Sequence, residues 1–462
     1  MDLLIKNGTI ATGSQVFQAD IGVDGCIVTH IGRDVRGPAS RVLDAAGKFV
    51  LPGGIDAHTH FEMPFMGTYT ADDFESGTVA AACGGITTII DFAMQQKGNS
   101  LFDALETWRR KADPKVCVDY ALHAVVTELN ETTFDEIKRV VDYGVTSFKL
   151  YMAYRNEGLL LDDASIYSVM QEAAKYGGLV GLHCENEDLI GHFTSTLLKE
   201  GKTGAEYHPK AKPTIVEGEA VRRALALAEY AGANMYVVHT SSRLGREAIR
   251  DAQQRGIRAF AETCPHYLVF TDEVYARPDG MNFVMSPPIK KEADRASLWQ
   301  GLAEGDVKTV GSDHACFTTQ QKLIGRDDFT KIPNGVAGTE VIIPILYSQG
   351  VREGTISLNR LVQVTSFNPA RLFGLWPQKG TIAVGSDADL VIFDPEKKVR
   401  LTVDNLHSRI DHSIYEDYTC HGYPAITICR GEIVQENGHF TGKKGRGKFL
   451  RRKPHADTRL QL

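Results

Sequence analysis

The chain has 462 residues, a formal net charge of −7, 43% apolar residues and 24% charged residues. That apolar share supports packed cores and excludes a disordered chain, while the length calls for two or three domains or one long barrel. The small negative charge gives no footing for nucleic acid or an acidic membrane, and no run reaches the roughly 20 apolar residues that span a bilayer.

The opening, MDLLIKNGTIATG, lacks a basic start followed by a long apolar run, so no signal peptide is expected. Eight cysteines are scattered without a CxxC pair, which suits free thiols in a reducing cytoplasm. Up to residue 53 the pattern is one of short strands, LLIKNGTI, ADIGV, CIVTHIG and KFVLPGG, punctuated by Gly and Asp. From Gly54 apolar runs alternate with helical stretches such as TFDEIKRVVDYG and REAIRDAQQRG, each ending near a glycine. The runs are IDAHTH (55–60), ITTIIDF (86–92), VCVDYALHAV (116–125), VTSFKLYM (145–152), LVGLHCE (179–185), MYVVHTS (235–241), RAFAETC (258–264) and KTVGSDH (308–314). Eight near-continuous apolar strands separated by helices predict an α/β fold, a (β/α)8 TIM-like barrel over residues 54–375. Beyond Leu375, KGTIAVGSDADLVIFDP and AITICRGEIVQENGHF return to strands. Residues 1–53 and 376–442 are therefore expected to form a composite β-sandwich domain, with 443–462 as a basic, extended C-terminal arm.

Polar residues fall at the same end of successive barrel strands: His58 and His60 on the first, Lys149 on the fourth, His183 on the fifth, His239 on the sixth and Asp313 on the eighth. Residues two apart on a strand project to one side, so His58 and His60 form a rigid half-site for a metal. An HxH pair alone is weak evidence, since two loop histidines give the same pattern. The recurrence is stronger, because C-terminal strand ends of such a barrel converge on one mouth where active sites lie. Lys149 fits a cation site only as a neutral amine that has captured carbon dioxide; otherwise it is a lysine paired with an acid or snorkelling from the strand end.

HTH at 58–60, SFK at 147–149, His183, His239 and GSDH at 311–314 resemble the binuclear amidohydrolases, specifically the dihydropyrimidinase and hydantoinase family. FEMPFMGTYTADDFESGT, FKLYMAY, MSPP, IPNG, RLFGLWPQKGTIAVGSDADLVIFDP and GKFLRR extend the resemblance over nearly the whole chain. The resemblance implies hydrolytic ring opening of neutral cyclic amides by hydroxide activated between two divalent metals, zinc in most of the family, with manganese compatible with the same ligands. It implies one metal on His58, His60 and Asp313, a second on His183 and His239, and Lys149 as a bridging N6-carboxylysine. Asp313 would also act as general base, and Tyr154 in KLYMAY would donate to the developing oxyanion. Ser286 and Asn334 match positions whose main-chain groups bind the ring amide, although Ser-Pro and Asn-Gly are also turn formers. Met63, Phe65 and Leu159 fall where the family places an apolar wall over the exocyclic substituent, with loop packing as the competing reading.

Dihydroorotase is set aside because Glu62 stands where that family carries a substrate-binding arginine, and a carboxylate there would repel an anion. Allantoinase matches the loop after His60 less well. Non-catalytic relatives of the same fold, which act as structural or signalling proteins, lack the ligands retained here. The resemblance further implies a homotetramer with the basic arm on a neighbouring subunit. One departure stands out: after IPNG, Glu340 is followed by Val341 and Ile342 where relatives show an arginine.

Overall fold

The computed structural model describes residues 1–454. Five strands open the chain: β1 (Leu3–Ala11), β2 (Val16–Asp24), β3 (Ile27–Gly32), β4 (Arg41–Asp44) and β5 (Phe49–Pro52). There follow β6 (Gly54–Thr59), a small hairpin of β7 (Pro64–Phe65) and β8 (Thr68–Tyr69), then β9 (Ile86–Met94), β10 (Asp119–Val125), β11 (Ser147–Tyr151) and β12 (Leu179–His183). The series continues with β13 (Asn234–Val237), β14 (Ala259–Thr263) and β15 (Val307–Val310), and ends with β16 (Leu390–Arg400), β17 (Thr419–Cys429), β18 (Glu432–Glu436) and β19 (His439–Phe440).

The eight strands expected of the barrel all form, and they pair in parallel in the order β15-β14-β13-β12-β11-β10-β9-β6. Both faces of each are covered, as eight of the nine residues of β9 illustrate, so the strands read as continuous apolar runs rather than alternations. The ring closes past the end of β15. There His60 N–H donates to His314 O (2.9 Å) and His314 N–H to His58 O (3.3 Å). Helices pack outside on a stripe of apolar side chains. Thr133–Tyr143 buries Ile137, Val140 and Val141, and stops at Gly144, whose φ of 99° a side chain would oppose.

The terminal segments join into one nine-stranded mixed sheet, β19-β18-β17-β16-β5-β1-β2-β3 with β4 on β1. The composite β-domain is thus one hydrogen-bonded sheet enclosing its own core, which includes Ile5, Ile21, Val50, Leu390 and Ile392. Its seam is the antiparallel pair β5–β16, with Val50 opposite Ile392. Barrel and sheet are tied by a buried ion network. Lys379 Nζ lies 2.6 Å from Asp119, 2.6 Å from Asp389 and 2.9 Å from Asp387, and Arg430 Nε lies 2.9 Å from Asp119.

The basic arm, as far as residue 454, lies on its own chain. Gly447 N–H donates to Val116 O (3.0 Å), Leu450 N–H to Tyr120 O (2.8 Å) and Arg452 N–H to Gly144 O (2.8 Å). Residues 455–462 of that arm lie outside the described residues. Among the described residues no helix is long and apolar enough to cross a membrane.

Candidate metal centre and substrate cavity

His58 and His60 are both buried at the end of β6, facing one side as the two-residue period requires. The turn that follows is held by Asp91 of β9, which accepts from Thr59 Oγ1 (2.9 Å), Phe61 N–H (2.9 Å) and Trp108 Nε1–H (3.0 Å). Asp313 lies beyond β15 rather than on it, at a φ of 49°. His239 likewise sits past β13 at 38°, and Tyr154 past β11 at 69°. A non-glycine residue in this region is strained, and three around one cavity mark a site held in place by its surroundings.

Asp313 Oδ1 is 3.1 Å from His58 Nε2 and 3.3 Å from His60 Nε2. Yet His58 Nε2 is buried with no aligned hydrogen-bond partner, so proximity there is not a hydrogen bond. One ligand atom from each of the three residues lies within 4.8 Å of the others. Nearby, His183 Nδ1 faces His239 Nε2 at 2.9 Å, and the His58 and His239 rings are 5.4 Å apart. Lys149, 1% exposed, comes from β11 beside β12. Its Nζ lies over the rings of Phe92 (5.1 Å) and Tyr151 (4.9 Å), and no acid lies within ion-pairing distance among the described residues. The acid-paired reading of this lysine therefore finds no partner here.

Protonation favours ligation. Burial pushes His60 down to about 4, keeps His183 and His239 below the usual imidazole range, and pushes the Lys149 amine down to about 8. His58 is the exception. Burial opposes its charge, but the carboxylates of Glu262 and Asp313 prevail and raise it to about 9. Asp313 is held well below the usual carboxylate range: burial would raise it, and the histidines around it outweigh burial. Converging imidazole nitrogens and a carboxylate, with His58 Nε2 and His60 Nδ1 buried and unpartnered, form a donor set that fits divalent cations.

Several residues that hold this arrangement were not legible in the sequence. Glu262 Oε1 accepts from His58 Nδ1 (2.6 Å) and His239 N–H (2.9 Å), while Oε2 accepts from Tyr236 (2.8 Å). One carboxylate thereby orients both half-sites. Asp56 accepts from Ser312 Oγ (2.5 Å) and Ser312 N–H (3.0 Å), fixing the loop that carries Asp313. Glu185 Oε2 accepts from His183 Nε2 (2.8 Å) and leaves Nδ1 toward His239. The available signal was an acid inside an apolar run, as in AFAETC and LVGLHCE.

The cavity over this centre is lined by His58, His60, Met63, Phe65, Met94, Lys149, Tyr151, Tyr154, Leu159, His183, His239, Ser286, Asp313, Ala315, Asn334 and Gly335. Every residue put forward from the sequence as a candidate ligand, catalytic group or substrate contact lines it; Met94, Tyr151, Ala315 and Gly335 were not foreseen. Phe65 meets Tyr154 edge to face at 5.4 Å.

One expectation changes, and the departure at Val341 and Ile342 finds its place. Glu62 does not line the cavity. Its carboxylate pairs with Lys115 (2.5 Å) on a backbone turned to a φ of 52°, so charge repulsion of an anionic substrate is not its role. The case against an anion rests instead on the lining, whose one lysine or arginine among the described residues is Lys149. Val341 and Ile342 are 2% and 1% exposed in the core, and Glu340 binds His407 Nδ1 (2.8 Å) and N–H (2.9 Å). The departure thus falls in the packed core and not in the cavity lining.

The model of the Amidohydrolase family matches residues 49–434. A D-hydantoinase of Geobacillus stearothermophilus is 43% identical over 98% of this chain and 97% of its own length. A dihydropyrimidinase of Rattus norvegicus is 42% identical over 98% of this chain and 89% of its own length. The crystal structure of dihydropyrimidinase from Brevibacillus agri superposes with a TM-score of 0.97 at 43% identity, covering 99% of this chain and 100% of that one.

Proposed function

This chain belongs to the amidohydrolase family, and we propose that within it the protein opens neutral cyclic amides by hydrolysis, taking 5,6-dihydropyrimidines to N-carbamoyl-β-amino acids and 5-substituted hydantoins to N-carbamoyl-amino acids. The observation that carries the reading is the convergence of His58, His60, Lys149, His183, His239 and Asp313 on one cavity. His58, His60 and Asp313 would hold one cation, His183 and His239 another, with Lys149 between them as N6-carboxylysine. Bound there, a pair of divalent ions, zinc or manganese, makes hydroxide available near neutral pH and polarises a carbonyl.

The chain's own groups supply the rest. Asp313 takes the proton of the attacking hydroxide and delivers it to the leaving ring nitrogen as the C–N bond breaks. Tyr154 donates its phenolic proton to the oxygen on which charge develops. Main-chain groups of Ser286 and Asn334 hold the ring amide, and Met63, Phe65 and Leu159 bound the exocyclic substituent. Eight scattered free thiols, seven of them buried, suit a cytoplasmic enzyme.

The test is a turnover series of dihydrouracil, dihydrothymine, hydantoin, phenylhydantoin, allantoin and dihydroorotate, with metal analysis of the purified protein. Dihydropyrimidine or hydantoin turnover with close to two metals per chain is expected. Preference for dihydroorotate or allantoin overturns the substrate class; protein without metal or turnover returns the non-catalytic reading.

A further inference from the structure

Lys212 is a buried cation outside the set discussed so far. It precedes the helix Thr214–Ala231, and its backbone carbonyl is fixed by Lys290 Nζ at 2.5 Å. Its Nζ donates to Glu185 Oε2 (2.9 Å) and to Ser286 Oγ (2.5 Å), and lies 5.5 Å from the centre of the Tyr154 ring. Asn334 Nδ2 also donates to Ser286 Oγ (3.3 Å). Tyr154, Ser286 and Asn334 line the same cavity, and while burial raises the Tyr154 phenol well above its usual range, donation from Ser286 and Asn334 opposes that rise.

Hydrogen counting gives this arrangement a direction. A serine hydroxyl has one hydrogen and two lone pairs, and the nitrogens of lysine and the asparagine amide only donate. Both lone pairs of Ser286 Oγ are therefore filled, and its single hydrogen is given away toward Tyr154. The tyrosine oxygen then accepts, and its own hydrogen is left for the cavity. Without the lysine, Ser286 Oγ has a lone pair free to accept from Tyr154, and the phenolic proton turns away from the reacting carbonyl.

We propose that Lys212 is a positioning residue that sets the direction of the Lys212–Ser286–Tyr154 hydrogen-bond chain and so presents the Tyr154 proton to the substrate carbonyl. The catalytic part of this inference rests on ring-opening hydrolysis; the hydrogen-bond direction does not.

The experiment compares Lys212→Met and Lys212→Arg, each in the wild-type and Tyr154→Phe backgrounds. A hydantoin opened by the wild type serves as substrate, and metal content is measured throughout. Lys212→Met is expected to lower kcat about 10- to 100-fold, within the range for losing one oxyanion donor, with KM changed far less and the metal retained. Lys212→Arg restores part of kcat, and in the Tyr154→Phe background Lys212→Met costs nothing further. A full-sized loss in that background, a loss confined to KM, or a loss that tracks missing metal through Glu185 and His183 overturns the proposal. Raman difference spectra against Tyr154→Phe read the phenol without turnover. The tyrosine signal is expected to shift from acceptor to donor in Lys212→Met; an unshifted signal overturns the proposal whether or not the protein opens cyclic amides.

Discussion

An imidazole binds a cation only when neutral, and only through the nitrogen its other hydrogen bond leaves free. Glu262 makes that choice for His58 and Glu185 makes it for His183. Glu262→Gln is expected to weaken metal affinity by roughly 10- to 100-fold, the usual cost of losing such a partner; competition with a chelator measures it, and unchanged affinity would make Glu262 a packing residue. Lys149→Ala should lose most metal and activity. Because the Lys149 amine is pushed down to about 8, its neutral form becomes scarcer below that pH. Reconstitution of metal-free protein with metal and carbon dioxide should therefore quicken about tenfold per pH unit up to about pH 8 and then level. A pH-independent rate would argue against carbamate formation. Phe65→Ala is expected to change the ratio of small to aromatic hydantoin turnover; an unchanged ratio removes the apolar wall and leaves loop packing. The candidate ligands were legible because each follows an apolar run. Glu262, Asp56 and Lys212 were not, because their partners lie far off in the chain: 204 residues for Glu262 and His58, 74 for Lys212 and Ser286.

At the scale of elements, barrel strands announce themselves because both faces are buried, whereas the loops that carry Asp313 and His239 are shaped by tertiary contacts. One such contact is the buried pair of Asp72 and His314, 2.9 Å apart, beside Asp313. Burial would raise Asp72, but the hydrogen bond and charge of His314 prevail and bring it from 3.8 down to about 2. A folded-state value below the unfolded one stabilises the fold above pH 3.8, and that share, about 2 kcal/mol, is lost as the pH falls to about 2. Urea denaturation across this range should show a flatter acid limb for Asp72→Asn than for the wild type. Between barrel and sheet, Lys379→Met would leave Asp119, Asp387 and Asp389 buried without their shared cation, although Arg430 still reaches Asp119. A loss of about 3–5 kcal/mol is expected, seen as a lower midpoint of unfolding; a shift near zero would show that Arg430 suffices.

At the scale of the molecule, the chain's two ends are brought together around the barrel: β5 and β16 pair across more than 330 residues of sequence. The arm continues this, running from the sheet along β10 and on to Gly144. By resemblance we expect a homotetramer in solution. Light scattering that gives monomers would overturn that assembly, and this chain's contacts with its own arm would then account for the arm's burial.

The sequence by itself determined the barrel, the two terminal β segments and the candidate ligands, because burial on both faces and the convergence of strand ends are written in local order. Only the tertiary structure decided which way each candidate ligand points. It gave Glu262 and Glu185 their histidines, paired Glu62 with Lys115 and laid the arm on its own barrel. Those outcomes depend on hydrogen bonds and ion pairs between distant residues, and linear order does not encode distance between them.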